Sequence, residues 1–302
     1  MRKPRTLCAQ TMTTEHVSPD FYEAPEAPPG VEVQRPPRWP PWTAVVALIA
    51  GLAAALFGAL VIGVVAVAFG ANFNDQPPAV TITATVVQDL CLIGSAVLFA
   101  RMYGRFSPAD FGLRPTRLWP AIGWAALGWV AFLVFTAAFV AIIGGSPNDD
   151  KLPQELGVDD STAAMLAVAF LVSVVAPVSE EFFFRGYFFT ALRNWRGLWP
   201  AAIGTGIVFG AIHGSSADPA FLLPLAFFGF VLCLIYARTR SLYPCIALHC
   251  ANNSVAFGTS QHWTWQIAVL FGGSIAVIGL GAYAVRQMWS PRPPAPAPAA
   301  AT

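Results

Sequence analysis

Residues 178–187 read Val-Ser-Glu-Glu-Phe-Phe-Phe-Arg-Gly-Tyr, so two adjacent carboxylates and an arginine lie inside a stretch hydrophobic enough for a membrane. An ionisable side chain near the centre of a bilayer costs roughly 2.5–3.5 kcal/mol or more, so such residues are kept there for pairing or for chemistry. On a helix, Glu181 and Arg185 are i,i+4 neighbours that can form an ion pair, whereas Glu180 lies about 100° round the axis. We therefore expect one carboxylate to be neutralised and the other to stay available.

The rest of the chain has the composition of a membrane protein. Of its 302 residues, 56% are hydrophobic and only 11% are charged. The net charge is +1, and the basic residues are scattered in short loops rather than gathered in a stripe, so we expect no nucleic-acid partner. This composition predicts an all-α, polytopic membrane helix bundle whose surroundings are the lipid bilayer.

Spanning segments were located by length, because a membrane helix needs about 20 mainly apolar residues. We predict about eight transmembrane helices: Thr43–Ala71, Val80–Ala100, Trp119–Gly144, Ser161–Asn194, Pro200–His213, Pro219–Ala237, Leu242–Gly258 and Thr264–Val285. The fifth and the seventh are short. In the first three, Asp89 is the single charged residue, and with no partner to name it is assigned a structural role. In the fourth, Pro177 lacks the amide that would bond to Ser173, which predicts a kink.

The two ends of the chain are too polar and too rich in Pro to bury a core. We predict a disordered cytoplasmic tail at 1–42, which ends in an interfacial anchor formed by Trp39 and Trp42. A transmembrane domain follows at 43–286. The remaining residues, 287–302, predict a flexible tail rich in Pro and Ala.

The basic residues also predict an orientation. Sixteen of the 17 Lys and Arg residues lie in the N-terminal tail, in 101–119, 185–199 or 238–241, or at the C-terminal end, which are regions on one side of the predicted helices; the alternate loops hold only Lys151. Positively charged loops stay on the cytoplasmic side of a membrane. We therefore expect a multi-pass protein of the cell membrane with both termini in the cytoplasm.

Two further stretches place histidine at membrane depth: Phe209-Gly-Ala-Ile-His213 and His249-Cys-Ala-Asn-Asn253. His249 and Asn253 are i,i+4 neighbours, so they share one helix face. At about 1.5 Å per residue, Glu180 and His213 lie roughly 24 and 21 Å from the cytoplasmic helix ends, and His249 and Asn253 roughly 10 and 16 Å. All four can line one cavity if the fourth helix tilts or begins deeper.

These side chains have the chemistry of a hydrolase. Two carboxylates, two imidazoles and an amide supply a general base, a proton shuttle and donors for a developing oxyanion. No Ser or Cys is marked as a nucleophile, so we expect activated water to attack. The same groups leave open a divalent metal such as zinc, which would be held by Glu180, His213 and His249.

The three motifs, in this order on successive helices, resemble those of the CPBP family of intramembrane endopeptidases, the CAAX protease and bacteriocin-processing proteins also called Abi or Rce1-like. The motifs are Glu180-Glu181-x-x-x-Arg185, Phe209-x-x-x-His213 and His249-x-x-x-Asn253. The resemblance covers about 161–258. In addition, Phe111-Gly-Leu-Arg114 is similar to a segment common in these proteins.

The resemblance implies a glutamate-type intramembrane endopeptidase that hydrolyses a peptide bond of a membrane-associated peptide or protein. Carried over to this chain, its site residues are Glu180, Glu181, Arg185, His213, His249 and Asn253. It implies that the first glutamate of the pair and the second-motif histidine activate water. It also implies that the third-motif histidine and asparagine stabilise the oxyanion, while the second glutamate and the arginine form a supporting ion pair. The family is often labelled metallo, and the motifs leave its metal dependence open.

Two other classes of function stay open on the residues alone. A proton- or ion-coupled membrane transporter would use Glu180, Glu181 and the histidines as a relay. The polar groups cluster in one half of the chain and no internal repeat is visible, which weakens that interpretation. A non-catalytic membrane scaffold or immunity protein of the same fold is the third class, and the intact motifs argue against it.

Overall fold

The computed structural model describes residues 39–72, 76–143, 152–215, 217 and 219–289. Within them all eight predicted helices are present: α1 (Pro41–Ala68), α2 (Pro78–Met102), α3 (Leu118–Ile143), α4 (Thr162–Arg196), α5 (Leu198–Ile212), α6 (Leu222–Thr239), α7 (Tyr243–Ser260) and α8 (Trp265–Trp289). Six spans are long and apolar enough to cross a membrane, those of α1, α2, α3, α4, α6 and α8. The predicted polytopic helix bundle is therefore confirmed, and the chain is a multi-pass membrane protein.

Helix α4 is continuous over 35 residues but is not a regular α-helix throughout. Its N-cap is Ser161, whose hydroxyl accepts a hydrogen bond from the amide of Ala164 at 3.1 Å. Wide π-helical turns occur at Leu171–Val175 and Phe182–Phe189. The first ends two residues before Pro177, where the sequence predicts a kink. Such turns are frequent at functional sites, and these two flank the Glu-Glu pair.

The core surrounds the second half of α4. Every residue from 183 to 189 is buried there. By contrast, α3 and α8 leave most of their apolar side chains on the outside, with Phe132 and Ser274 among the few that are buried. An apolar exterior of this kind is what a lipid-facing surface requires, because lipid tails are as apolar as the side chains.

Residues 106–117, between α2 and α3, tie α4 to the start of α7. The Phe111 ring stacks on that of Phe182 with 4.5 Å between centroids, and the carbonyl of Gly112 accepts a hydrogen bond from the amide of Leu242 at 2.9 Å. A Cβ at Gly186 would lie 2.9 Å from the backbone oxygen of Phe111, so only glycine allows this approach. The segment that the resemblance singled out thus connects two motif-bearing helices.

Trp39 is not an interfacial anchor, so that part of the prediction is wrong. Its side chain is 4% exposed and packs against Phe111 and Tyr187, with ring centroids 4.9 and 4.8 Å away. Aromatic pairs of this kind contribute about 0.5–1.5 kcal/mol beyond the burial of their area. Trp42 is 52% exposed, in keeping with the prediction.

Most of the two predicted tails lies outside the described residues. The structure describes none of residues 1–38 or 290–302. At their inner ends, α1 already includes residues 41 and 42, and α8 continues through residues 287–289. The helices therefore extend slightly beyond the predicted limits of the transmembrane domain.

Candidate active site

The predicted ion pair within α4 is confirmed. Nη1 of Arg185 lies 2.7 Å from Oε1 of Glu181, and neither side chain is exposed. Nη2 of Arg185 donates to the carbonyl of Gly229 on α6 at 3.0 Å, and the guanidinium lies 4.5 Å from the centroid of the Phe209 ring on α5. Arg185 therefore neutralises one carboxylate and also joins α4 to two neighbouring helices.

His249 joins α7 to the same pair. Its Nδ1 lies 2.8 Å from Oε1 of Glu181. That oxygen already accepts a hydrogen bond from Arg185, so it is an acceptor and Nδ1 of His249 donates to it. The contact puts both residues at one depth, whereas counting along the helices had placed His249 closer to the cytoplasmic end. The count allowed neither for the π turns of α4 nor for the way α7 packs against it.

Glu180 faces away from Arg185, as the helical geometry predicts. Its Oε2 lies 3.9 Å from Nε2 of His249, which is too far for a hydrogen bond. Among the described residues this buried oxygen has no hydrogen-bond partner, although 16% of the Glu180 side chain is exposed. In the neutral His249 ring with a proton on Nδ1, Nε2 carries a lone pair. Two proton acceptors, a carboxylate and an imidazole nitrogen, are therefore adjacent.

His213 lies directly after α5 and contacts the site through an aromatic ring. Its Nδ1 is 2.7 Å from the carbonyl oxygen of Phe209, which accepts, so Nδ1 donates and Nε2 is again the acceptor. The Phe209 ring lies 4.9 Å from the His213 ring and 5.9 Å from the His249 ring, measured between centroids. The two imidazoles therefore have the same tautomer and lie beside the same phenyl group.

Asn253 does not contact the carboxylates in the way its shared face with His249 suggested. Its Nδ2 donates to the carbonyl of Val172 at 2.9 Å, within the first π turn of α4. This bond holds α7 against α4 close to the Glu-Glu pair. A side-chain amide has two N–H groups, so one donor of Asn253 is left after this bond.

Asp89 on α2 also belongs to this cluster, which the sequence interpretation missed. Its side chain is 3% exposed, it interacts with the Ser179 side chain, and its charge acts on Glu180. The signal was present in the sequence, because Asp89 is the single charged residue of the first three predicted helices. Its partners, however, come from tertiary packing.

The described polar groups of this cluster do not form a metal site. Among the described residues, no group of three or more His, Cys, Asp or Glu side chains is arranged to hold a metal ion. The conditional ligand set of Glu180, His213 and His249 therefore does not fit a metal site in this geometry.

Comparisons with known proteins agree with the motifs. Residues 162–255, which run from α4 into α7, match the family of Type II CAAX prenyl endopeptidase Rce1-like proteins, so the resemblance is confirmed over this segment. A Bacillus subtilis (strain 168) protein named "Putative membrane peptidase YdiL" is 30% identical over 95 residues. That match spans 32% of this chain and 38% of the relative, so the chain covers well under two thirds of the relative. No solved structure matches this chain.

Proposed function

We propose, from the Rce1-like similarity of residues 162–255 and the geometry of that segment, that this multi-pass membrane protein is an intramembrane endopeptidase. Its substrate class is a membrane-associated peptide or protein, and the peptide bond is hydrolysed by activated water. One observation carries the proposal. Glu180 has a buried oxygen without a hydrogen-bond partner among the described residues, beside Nε2 of His249.

In the proposed reaction Glu180 is the general base. It takes a proton from water, the water oxygen attacks the carbonyl carbon, and the C–N bond breaks as the proton passes to the leaving amine. The new C-terminus thus gains the OH of the water molecule and the new N-terminus gains the H, and Glu180 returns to its starting state. The Glu181–Arg185 pair supports the base from the neighbouring position without competing for the water.

The hydrogen bonds favour a division of roles among the other polar groups that differs from the one the resemblance implies. Nδ1 of His249 donates to Glu181, so the neutral ring can only accept a proton at Nε2. We assign His249 to proton transfer beside Glu180, and His213 with the same tautomer to assisting it. The remaining N–H of Asn253 is then the donor suited to the developing oxyanion.

The orientation of the protein is part of the proposal. We infer cytoplasmic termini from the distribution of basic residues, which would place the loops at 101–119 and after α4 on the cytoplasmic side. Topology reporters test this. A reporter inserted in 101–119 or fused after Thr302 should be cytoplasmic, and one inserted at 146–160 should not.

Substrate trapping tests the function and identifies the substrate. Glu180→Gln keeps the shape of the side chain and removes the base, so the tagged variant should retain substrate that the wild-type protein releases as products. Mass spectrometry of co-purified proteins compares the two. Glu155→Gln is the matched control, because Glu155 is an exposed glutamate in the short helix Leu152–Glu155. Equal recovery from all three proteins would count against the proposal.

A further inference from the structure

Asp89 lies near the middle of α2 (Pro78–Met102), 13 positions before its last residue, or about 20 Å along the axis at the α-helical rise. This depth is similar to that expected for Glu180. The side chain is 3% exposed, and its Oδ2 has no hydrogen-bond partner among the described residues. Asp89 also forms no ion pair with any described residue. An unpaired carboxylate is costly at membrane depth, so its position calls for a role.

The neighbours of Asp89 connect it to the proposed base. Helix α2 packs against the α-helical turn Ala176–Glu181, which carries Glu180. Asp89 interacts with the side chain of Ser179, the residue before Glu180. In the structure the Ser179 hydroxyl donates to the carbonyl of Ala176 at 2.9 Å. A hydroxyl has one proton, so it serves the carbonyl or Asp89 at any moment, and Asp89 can compete for it.

The charge on Asp89 bears on the orientation of the Glu180 side chain. When both are ionised, Asp89 and Glu180 repel each other as like charges. In the low-dielectric interior such interactions are stronger than in water. A carboxylate on α2 therefore favours an orientation of Glu180 away from α2, and the structure places Oε2 of Glu180 3.9 Å from Nε2 of His249 on α7.

We propose that Asp89 is a positioning residue for Glu180: it fixes, through Ser179, the turn that carries the base and orients the base towards His249. This inference rests on the proposed endopeptidase activity and adds a third helix, α2, to the site. It places a functional residue outside residues 162–255, the segment that matches the family. Asp89 itself makes and breaks no bond in the reaction.

Asp89→Asn tests the proposal, because it keeps the size of the side chain and its ability to bond to Ser179 but removes the charge. A positioning role predicts a kcat lower by about tenfold or more with KM changed less than about twofold, since a slightly misplaced base slows the chemical step alone. The melting temperature in detergent should be no lower than the wild-type value, because the change removes a costly buried charge. Asp89→Glu, which retains the charge, should be more active than Asp89→Asn.

A control on the same helix separates this effect from general damage to α2. Ser95 is buried and donates to the carbonyl of Leu92 at 2.8 Å, away from Glu180. Ser95→Ala should leave kcat unchanged. If Asp89→Asn lowers the yield of folded protein, Ser179→Ala gives a second measurement, because it leaves all charges in place and should also lower kcat alone. A fully active Asp89→Asn protein would overturn the proposal, as would an activity loss that merely follows the loss of folded protein.

A second readout does not depend on peptidase activity. A hydrophobic carbodiimide modifies carboxyl groups in apolar surroundings, and mass spectrometry gives the rate at which Glu180 is modified in the purified wild-type, Asp89→Asn and Ser95→Ala proteins. Positioning predicts a changed rate in Asp89→Asn and an unchanged rate in Ser95→Ala. A wild-type protein that cleaves nothing would defeat the endopeptidase proposal, yet this comparison would still report on Asp89. Equal rates in all three proteins would refute the action of Asp89 on Glu180.

Discussion

Nδ1 of His249 lies 2.8 Å from Oε1 of Glu181, and this contact joins positions 68 residues apart in the sequence. The same oxygen accepts a hydrogen bond from Nη1 of Arg185 at 2.7 Å, so one carboxylate oxygen links a cation and an imidazole. The contact fixes the ring orientation and leaves Nε2 next to Glu180. Glu181 thus orients His249 while Glu180 stays available, so each of the two glutamates has its own role.

Arg185→Ala should destabilise the protein strongly. The change leaves Glu181 buried without its cation, and breaking a buried pair costs about 3–5 kcal/mol. Yield, thermal stability in detergent and activity should therefore fall together. Arg196→Ala is the control, because Arg196 is exposed and lies over the Trp195 ring at 4.1 Å. A well-folded, fully active Arg185→Ala protein would refute the role assigned to the ion pair.

Asn253→Ala separates the structural and the chemical role of this amide. Loss of the hydrogen bond to Val172 should lower the free energy of unfolding by about 1 kcal/mol. Loss of an oxyanion donor should lower kcat by about a hundredfold or more. Both quantities are measured on purified protein. The control is Ser260→Ala, because Ser260 is exposed at the end of α7 and also loses one hydrogen bond, to the carbonyl of Phe257 at 2.8 Å. If activity falls only as far as the fraction of folded protein does, Asn253 has no part in the chemistry.

Gly186→Ala should loosen the contact between α4 and residues 106–117. The added Cβ would lie 2.9 Å from the backbone oxygen of Phe111, which cannot move without shifting the segment. We expect a lower melting temperature. The control is Gly272→Ala in α8, where no atom lies within 4 Å of the added Cβ and alanine favours the helix by about 1 kcal/mol. Equal stability of the two variants would show that the close approach at Gly186 is unimportant.

Residue spacing was enough to predict the helices and the Glu181–Arg185 pair, because both follow from local geometry. An i,i+4 pair on a helix meets whatever the rest of the fold does. The contact of His249 with Glu181 could not be derived in this way. It depends on how α7 packs against α4 and on π turns that change the depth of every residue beyond them.

The contacts of Asp89 could not be predicted from local spacing either. The sequence marks it as an unusual charge in a membrane helix, but its neighbours on α4 lie about 90 residues away in the chain, beyond any local pattern. Trp39 was placed at the membrane interface from its flanking prolines and arginines. The partners that bury it, Phe111 and Tyr187, are likewise distant in sequence.

Chelation should leave the activity intact. The proposed base acts on water directly, and no group of three or more potential ligands among the described residues fits a metal ion. Purified active protein should contain well under one divalent ion per chain after prolonged dialysis against a chelator. Loss of activity that zinc restores at near-unit stoichiometry would contradict this mechanism while keeping the same residues at the centre of the site.

The central claim is that Glu180 activates the water that cleaves a membrane-associated polypeptide. The most direct measurement is quantitative mass spectrometry of new C-termini in membranes that contain the wild-type or the Glu180→Gln protein, incubated in oxygen-18 water. Both proteins should have the same melting temperature in detergent, which shows that folding is equal. The account predicts new C-termini that carry one oxygen-18 atom with the wild-type protein and none with Glu180→Gln. The same labelled termini in both membranes would contradict it.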